Sequence, residues 1–144
     1  MYKDTITLFV RNPNHTWTAI RLDNVDLNAD RGAMVEKYGA DSKDTAKLHI
    51  KYTTEANAVI ISGYVYTPPK EYARLTQTTG HITFASGNDF GFFIEGVWDG
   101  SLSIDDLAYT DGFYNYMRSR YDYCYAITSA AQYSVIPHFE VLAK

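Results

Sequence analysis

At 144 residues, 46% of them apolar, the chain has the size of one domain, 1–144, and can bury about two thirds of its unfolded surface without disulfide staples. Its 13 basic and 17 acidic side chains give a formal charge of −4, and neither sign forms a block longer than two, which argues against nucleic acid as the main partner. The lone Cys124 has no intrachain partner, no secretory leader pattern opens the sequence, and Ala58 to Ile61 and Phe90 to Ile94 fall far short of the roughly 20 apolar residues of a membrane helix. Folding in a reducing cytosol is expected.

Ile6, Leu8 and Val10 alternate along a first strand, and Asn12-Pro13-Asn14-His15 reads as a turn. In the next strand Trp17, Ala19 and Arg21 face one way and Thr18, Ile20 and Leu22 the other, completing an opening hairpin; Val25 and Leu27 continue the alternation. The pattern then lapses into a long loop near 29–46, with room for one helical turn around Ala33 to Tyr38. Its stretch Ala29 to Asp44 has few large apolar side chains and two glycines, so it is expected to be a mobile excursion.

Leu48, Ile50 and Tyr52 restore period two, with Lys47, His49 and Lys51 on a wet face. Val59 to Ser62 and Tyr64 to Tyr66 are strand pieces broken by Gly63, and Pro68-Pro69 ends them because proline cannot donate to a ladder. His81 to Phe84 and Phe90 to Trp98 follow as strands across the turn Ala85-Ser86-Gly87-Asn88-Asp89. Ser103-Ile104-Asp105-Asp106 has the form of a capping box, with Asp106 in the usual Glu or Gln place. Asp111 is positioned to cap a helix from Gly112 to about Tyr121, and Tyr125 to Thr128 and Pro137 to Leu142 read as closing strands. The expected fold is mainly β, a small barrel or sandwich of about seven strands with one or two short helices near 103–121.

Little in this order suggests chemistry. Asp26-Leu27-Asn28-Ala29-Asp30 has the spacing of the first calcium ligands of an EF-hand, but Arg31 stands where glycine is needed and Lys37 where a bidentate Glu is needed. Histidines 15, 49, 81 and 138 are dispersed without a zinc-like pair, so each is expected to stand alone. His138 and Glu140 alternate on one strand and can share a face, which is commoner for a surface pair than for an acid/base couple. Cys124 lies between tyrosines with no adjacent cation to activate it. The glycine-bearing segments 87–91 and 96–100 suit hairpin turns rather than phosphate loops, and no Gly-x-Ser-x-Gly elbow occurs. The reading is therefore a non-enzyme, with no catalytic residue, no cofactor and no metal site.

Several segments resemble a family of uncharacterised proteins encoded in phages and prophages of Gram-positive gut bacteria. They are residues 1–9 (Met1-Tyr2-Lys3-Asp4-Thr5-Ile6-Thr7-Leu8-Phe9), Asn24 to Arg31, Lys37-Tyr38-Gly39-Ala40, Pro68-Pro69-Lys70-Glu71-Tyr72, Gly87-Asn88-Asp89-Phe90, Thr110-Asp111-Gly112-Phe113-Tyr114 and Tyr133 to Glu140. The first half is further similar to phage minor capsid and head-closure proteins, small β-barrels that form a ring between portal and tail. The resemblance implies a virion assembly protein at the head-to-tail connection, a homo-oligomer in the particle touching portal, neck or tail components. It would be made in the host cytoplasm and carried in the virion, without a membrane or direct nucleic-acid role. The Tyr-rich end has no counterpart in those proteins, and a tail-associated or carbohydrate-binding module using Trp17 and Trp98 is the alternative.

Thirteen tyrosines exceed what a core of this size holds comfortably, and seven lie between Tyr109 and Tyr133. They suit either half-exposed strands or an interface. On a helix from Gly112 to Tyr121, Phe113, Tyr116 and Met117 define a face for the core, while Tyr114 and Arg118, four apart, fall on another side. Tyr114 and Arg118 are therefore candidates for a partner surface, the bland alternative being an ordinary solvent face.

Overall fold

The computed structural model describes residues 2–29, 46–86 and 91–144. The expected loop excursion and its helical turn, and the centre of the turn at 87–89, lie outside those residues.

The alternation of Ile6, Leu8 and Val10 builds β1 (Asp4–Arg11), and Ile20, Leu22 and Val25 build β2 (Thr16–Ala29). The two pair antiparallel with Leu8 opposite Ile20, joined through His15 in the left-handed region (φ 63°), the position that closes a three-residue hairpin loop. Leu48 and Ile50 carry β3 (Ala46–Lys51). The chain returns to this sheet with β8 (Phe92–Glu95), β10 (Cys124–Tyr133) and β11 (His138–Ala143). The order β1-β8-β10-β11-β3-β2, with β2 paired back to β1, is a closed six-stranded antiparallel barrel. Closure removes the open edges that a flat sheet leaves.

β2 serves two neighbours because it bends. Its register on β1 slips between Asp4↔Val25 and Ile6↔Leu22, with Asn24 at φ 57°, and the Leu27 amide beyond the slip donates to the Asp4 carboxylate at 2.9 Å. Asn tolerates the left-handed conformation, and such a bulge turns the strand from β1 toward β3. An extra strand, β9 (Ser103–Asp105), adds to the outer end of β2 with Trp17 opposite Ile104.

A second sheet, β4 (Thr53–Glu55), β5 (Ala58–Ile61), β6 (Tyr64–Tyr66) and β7 (His81–Ile82), is antiparallel except for the β6–β7 pair. Its hairpins turn on Ala56-Asn57 (φ 49° and 70°) and Ser62-Gly63 (φ 50° and 85°), the doubly positive geometry that matches strand twist. Thus Gly63 closes a hairpin rather than interrupting a strand. Pro68-Pro69 ends β6 as expected but also starts α1 (Pro69–Tyr72), because proline is well suited to the first helical position. Tyr72 is buried and its hydroxyl donates to Asn12 Oδ1 at 2.7 Å; Ile61, Tyr72, Ile82 and Phe84 join the core of Leu8, Leu22, Leu48, Phe93 and Val141 inside the barrel.

A separate core lies outside the barrel wall. Phe9, Trp17, Ala19, Phe92, Ile94, Ile104 and Cys124 meet Phe113 and Met117 of α2 (Phe113–Arg120). Both faces of β1, β2 and β8 are therefore buried locally: Trp17 and Ala19 are covered while Arg21, on the same side, is exposed. The helix starts differ from the sequence reading. Ser103 sits in β9, and Asp105 caps a short 3₁₀ turn, Asp106–Ala108, by accepting from the Leu107 amide at 3.0 Å. Gly112, at φ 88°, precedes α2, and the Phe113 amide donates to Asp106 at 2.9 Å rather than to Asp111. Regular pairing is shorter than expected around His81 to Phe84 and over the described part, 91–98, of the strand expected from Phe90 to Trp98, and longer in β10, which runs on to Tyr133.

Candidate functional site

The β10–β11 ribbon carries two features side by side. The first is its tip: Tyr133, Val135 and Ile136 are 46%, 96% and 73% exposed. Val135 and Ile136, held out at the turn between β10 and β11, bury little of their apolar area within the chain.

The second is a polar cluster where β11 runs along β3. The register sets Glu140 directly opposite His49, with His138 two residues earlier on the same outward face, opposite Lys51. His49 Nε2 lies 3.3 Å from Glu140 Oε2, and Asp26 of β2 approaches His49 Nδ1 at 3.8 Å. Lys47 Nζ is 3.8 Å from the other Glu140 oxygen. The His138 ring stacks on Tyr133 (centroids 5.0 Å, 13° between planes), and its Nδ1 lies 2.6 Å from the Ile136 carbonyl. A carbonyl only accepts, so Nδ1 carries a proton and donates it; in the neutral tautomer this leaves the lone pair on Nε2. His49, His138 and Glu140 are the one group of three among the described residues able to offer ligand atoms to a single ion, with those atoms within 4.8 Å of one another.

The structure thus corrects the expectation that each histidine stands alone. His49 and His138 are brought together by strand pairing across 89 positions, whereas His81 bonds Thr67 at 2.8 Å and His15 occupies the first hairpin turn. The signal was present in the sequence: His49 alternates with Lys47 and Lys51, and His138 with Glu140, on two wet strand faces. What was missing was which strands are neighbours.

The other candidates fall in different places. Tyr114 is half-buried against Phe92, with ring centroids 5.0 Å apart. Burial pushes its hydroxyl upward in pKa against the hydrogen bond and charge of Arg118, to which it is bonded. The outward ring of α2 is Tyr116, which packs on Tyr109 (4.7 Å) with the Arg120 guanidinium 5.4 Å from its centroid, so Tyr116 does not share the buried face of Phe113 and Met117. Trp17 is 2% exposed, with its indole N–H committed to Asp106 at 2.8 Å, and offers no platform for a sugar. Trp98 is half-buried beside the same core, and its N–H donates to the Ser101 carbonyl at 2.9 Å. Cys124 is buried there as well. An open groove of about 590 Å³ between the first hairpin turn and residues 75–79 is lined by hydroxyls and amides, among them Asn12, Thr16, Thr18, Gln77 and Thr78.

No described helix is long and apolar enough to cross a membrane. A family model, "Family of unknown function (DUF6751)", matches residues 1–144, and the chain belongs to that family. No curated protein and no solved structure matches it.

Proposed function

We propose that this family member is a non-enzymatic structural protein of a phage particle. In this reading it acts at the head-to-tail connection through contacts with portal, neck or tail proteins and with further copies of itself, passing from the host cytoplasm into the virion. The resemblance of its segments to phage-encoded proteins supplies the class of partner. The observation that carries a contact function is the ribbon tip, where Val135 and Ile136 stand 96% and 73% exposed. Water disfavours such apolar area, and a partner pocket that covers each side chain recovers about 1.5–3 kcal/mol. Tyr114 and Arg118, bonded to one another on α2, form a smaller second contact in this proposal.

The tip is testable because it lies outside both cores. Val135→Ser together with Ile136→Ser should leave the melting temperature unchanged and reduce incorporation into particles by about tenfold or more, as loss of a hot-spot pair does. Wild-type incorporation by the double variant would remove the tip from the working surface.

A further inference from the structure

We propose that His49, His138 and Glu140 hold one divalent cation of the zinc class on the outer face of the barrel. The inference is independent of any role in a phage particle. Two imidazoles and one carboxylate are a recognised three-residue donor set for zinc, and a fourth position stays open to water or to a ligand from another molecule. Calcium and magnesium prefer all-oxygen surroundings, so the two nitrogens select against them.

The tautomers carry the argument further than proximity. The hydrogen bond from His138 Nδ1 to the Ile136 carbonyl, at 2.6 Å, holds a proton at Nδ1 and leaves Nε2 as the nitrogen able to coordinate; a backbone carbonyl in that place is a common orienting partner of ligand histidines. Without an ion, His49 meets Glu140 through Nε2 at 3.3 Å, which requires the proton on Nε2 because a carboxylate only accepts. When the ring is neutral, that tautomer turns a lone pair at Nδ1 toward the Asp26 carboxylate 3.8 Å away, acceptor against acceptor, and this buried Nδ1 has no hydrogen-bond partner. Moving the proton to Nδ1 resolves both ends at once. Nδ1–H then faces Asp26, and the Nε2 lone pair faces the ion between Glu140 and His138.

The remaining geometry is compatible with closure. Ligand atoms within 4.8 Å must draw in to the edge of about 3.3 Å implied by metal–nitrogen bonds near 2.0–2.1 Å. Asp26 and Glu140 match two nearby cations: Lys47, whose side chain is 49% exposed, is free to swing from Glu140 into water, and Lys51, opposite His138, holds its ammonium 4.3 Å from the Tyr2 ring centroid.

The test uses the whole chain stripped with a chelator, then titrated with zinc chloride against a chromophoric competitor, with cobalt(II) as spectroscopic probe. One equivalent of zinc should bind, and cobalt should give the intense visible absorption of a four-coordinate site. His49→Ala and His138→Ala should each weaken binding by about 100-fold or more, and Asp26→Asn by about tenfold, as loss of an orienting partner does. His81→Ala should bind as wild type. Glu140→Gln repeats the ligand test with the smallest change in shape, and the melting temperatures in chelator confirm that each variant is folded. Absence of zinc binding by the wild-type chain, or binding that survives both His49→Ala and His138→Ala, would overturn the assignment.

Discussion

Phe113→Ala should destabilise the protein by about 3–5 kcal/mol and release α2 while the barrel stays closed. Phe113 is fully buried at the hub of the outer core: its ring centroid lies 5.3 Å from that of Phe9, 5.9 Å from those of Phe92 and Trp98, and 5.2 Å from that of Tyr109. Truncation removes these contacts and leaves a cavity that rings fixed on strands cannot collapse to fill. The inner core of Ile6, Leu8, Leu22, Leu48 and Val141 does not include Phe113, so hydrogen exchange should rise sharply over residues 103–121 and much less in β1, β3 and β11. Uniform loss of protection would show that the two cores unfold as one unit.

Asp106→Ala should cost about 3 kcal/mol or more, because one carboxylate oxygen serves two otherwise unpaired donors. It accepts from Trp17 Nε1 at 2.8 Å and from the Phe113 amide at 2.9 Å, with Arg11 3.8 Å from the other oxygen, and the side chain is only 14% exposed. Hydrogen bonds to a charged group contribute about 1.5–3 kcal/mol each, and a buried donor left alone adds its desolvation cost. Burial by itself would raise the Asp106 pKa. The Phe113 amide, the Trp17 indole and the charges of Arg11 and His15 outweigh it and hold the carboxyl below its ordinary value of 3.8. A carboxyl depressed on folding contributes stability that is present above the unfolded pKa and is lost as pH falls through the folded one. Urea titrations between about pH 6 and pH 2 should therefore show an acid limb that is shallower in Asp106→Ala, from the ordinary value of 3.8 downward. An unchanged limb would mean that the carboxylate contributes nothing to folding.

Much of the barrel was legible because its interior obeys period two. Ile6, Leu8 and Val10, then Leu48 and Ile50, mark strands with an inward face whatever else surrounds them. The outer core was not legible, since Trp17, Ala19 and Phe9 look like the second face of ordinary strands until α2 is known to lie over them. Local capping rules also failed where a distant group took the role: Asp111 stands next to the helix start, yet Asp106, seven positions from Phe113, reaches its amide. The same limit hid the histidine cluster. His49 and Glu140 are 91 positions apart and meet only through the β3–β11 register, which single-sequence alternation does not specify. Pro69 was readable in principle, because a proline that ends a strand can equally begin a helix.

The central claim, that the chain is built into a phage particle, is tested most directly by quantitative mass spectrometry of purified particles from an induced lysogen, with the portal protein as internal standard. The chain should be present at a fixed ratio to the portal and resist removal by repeated gradient purification. Its absence from particles, while it is abundant in the lysate of the same cells, would mean that it is not a virion component.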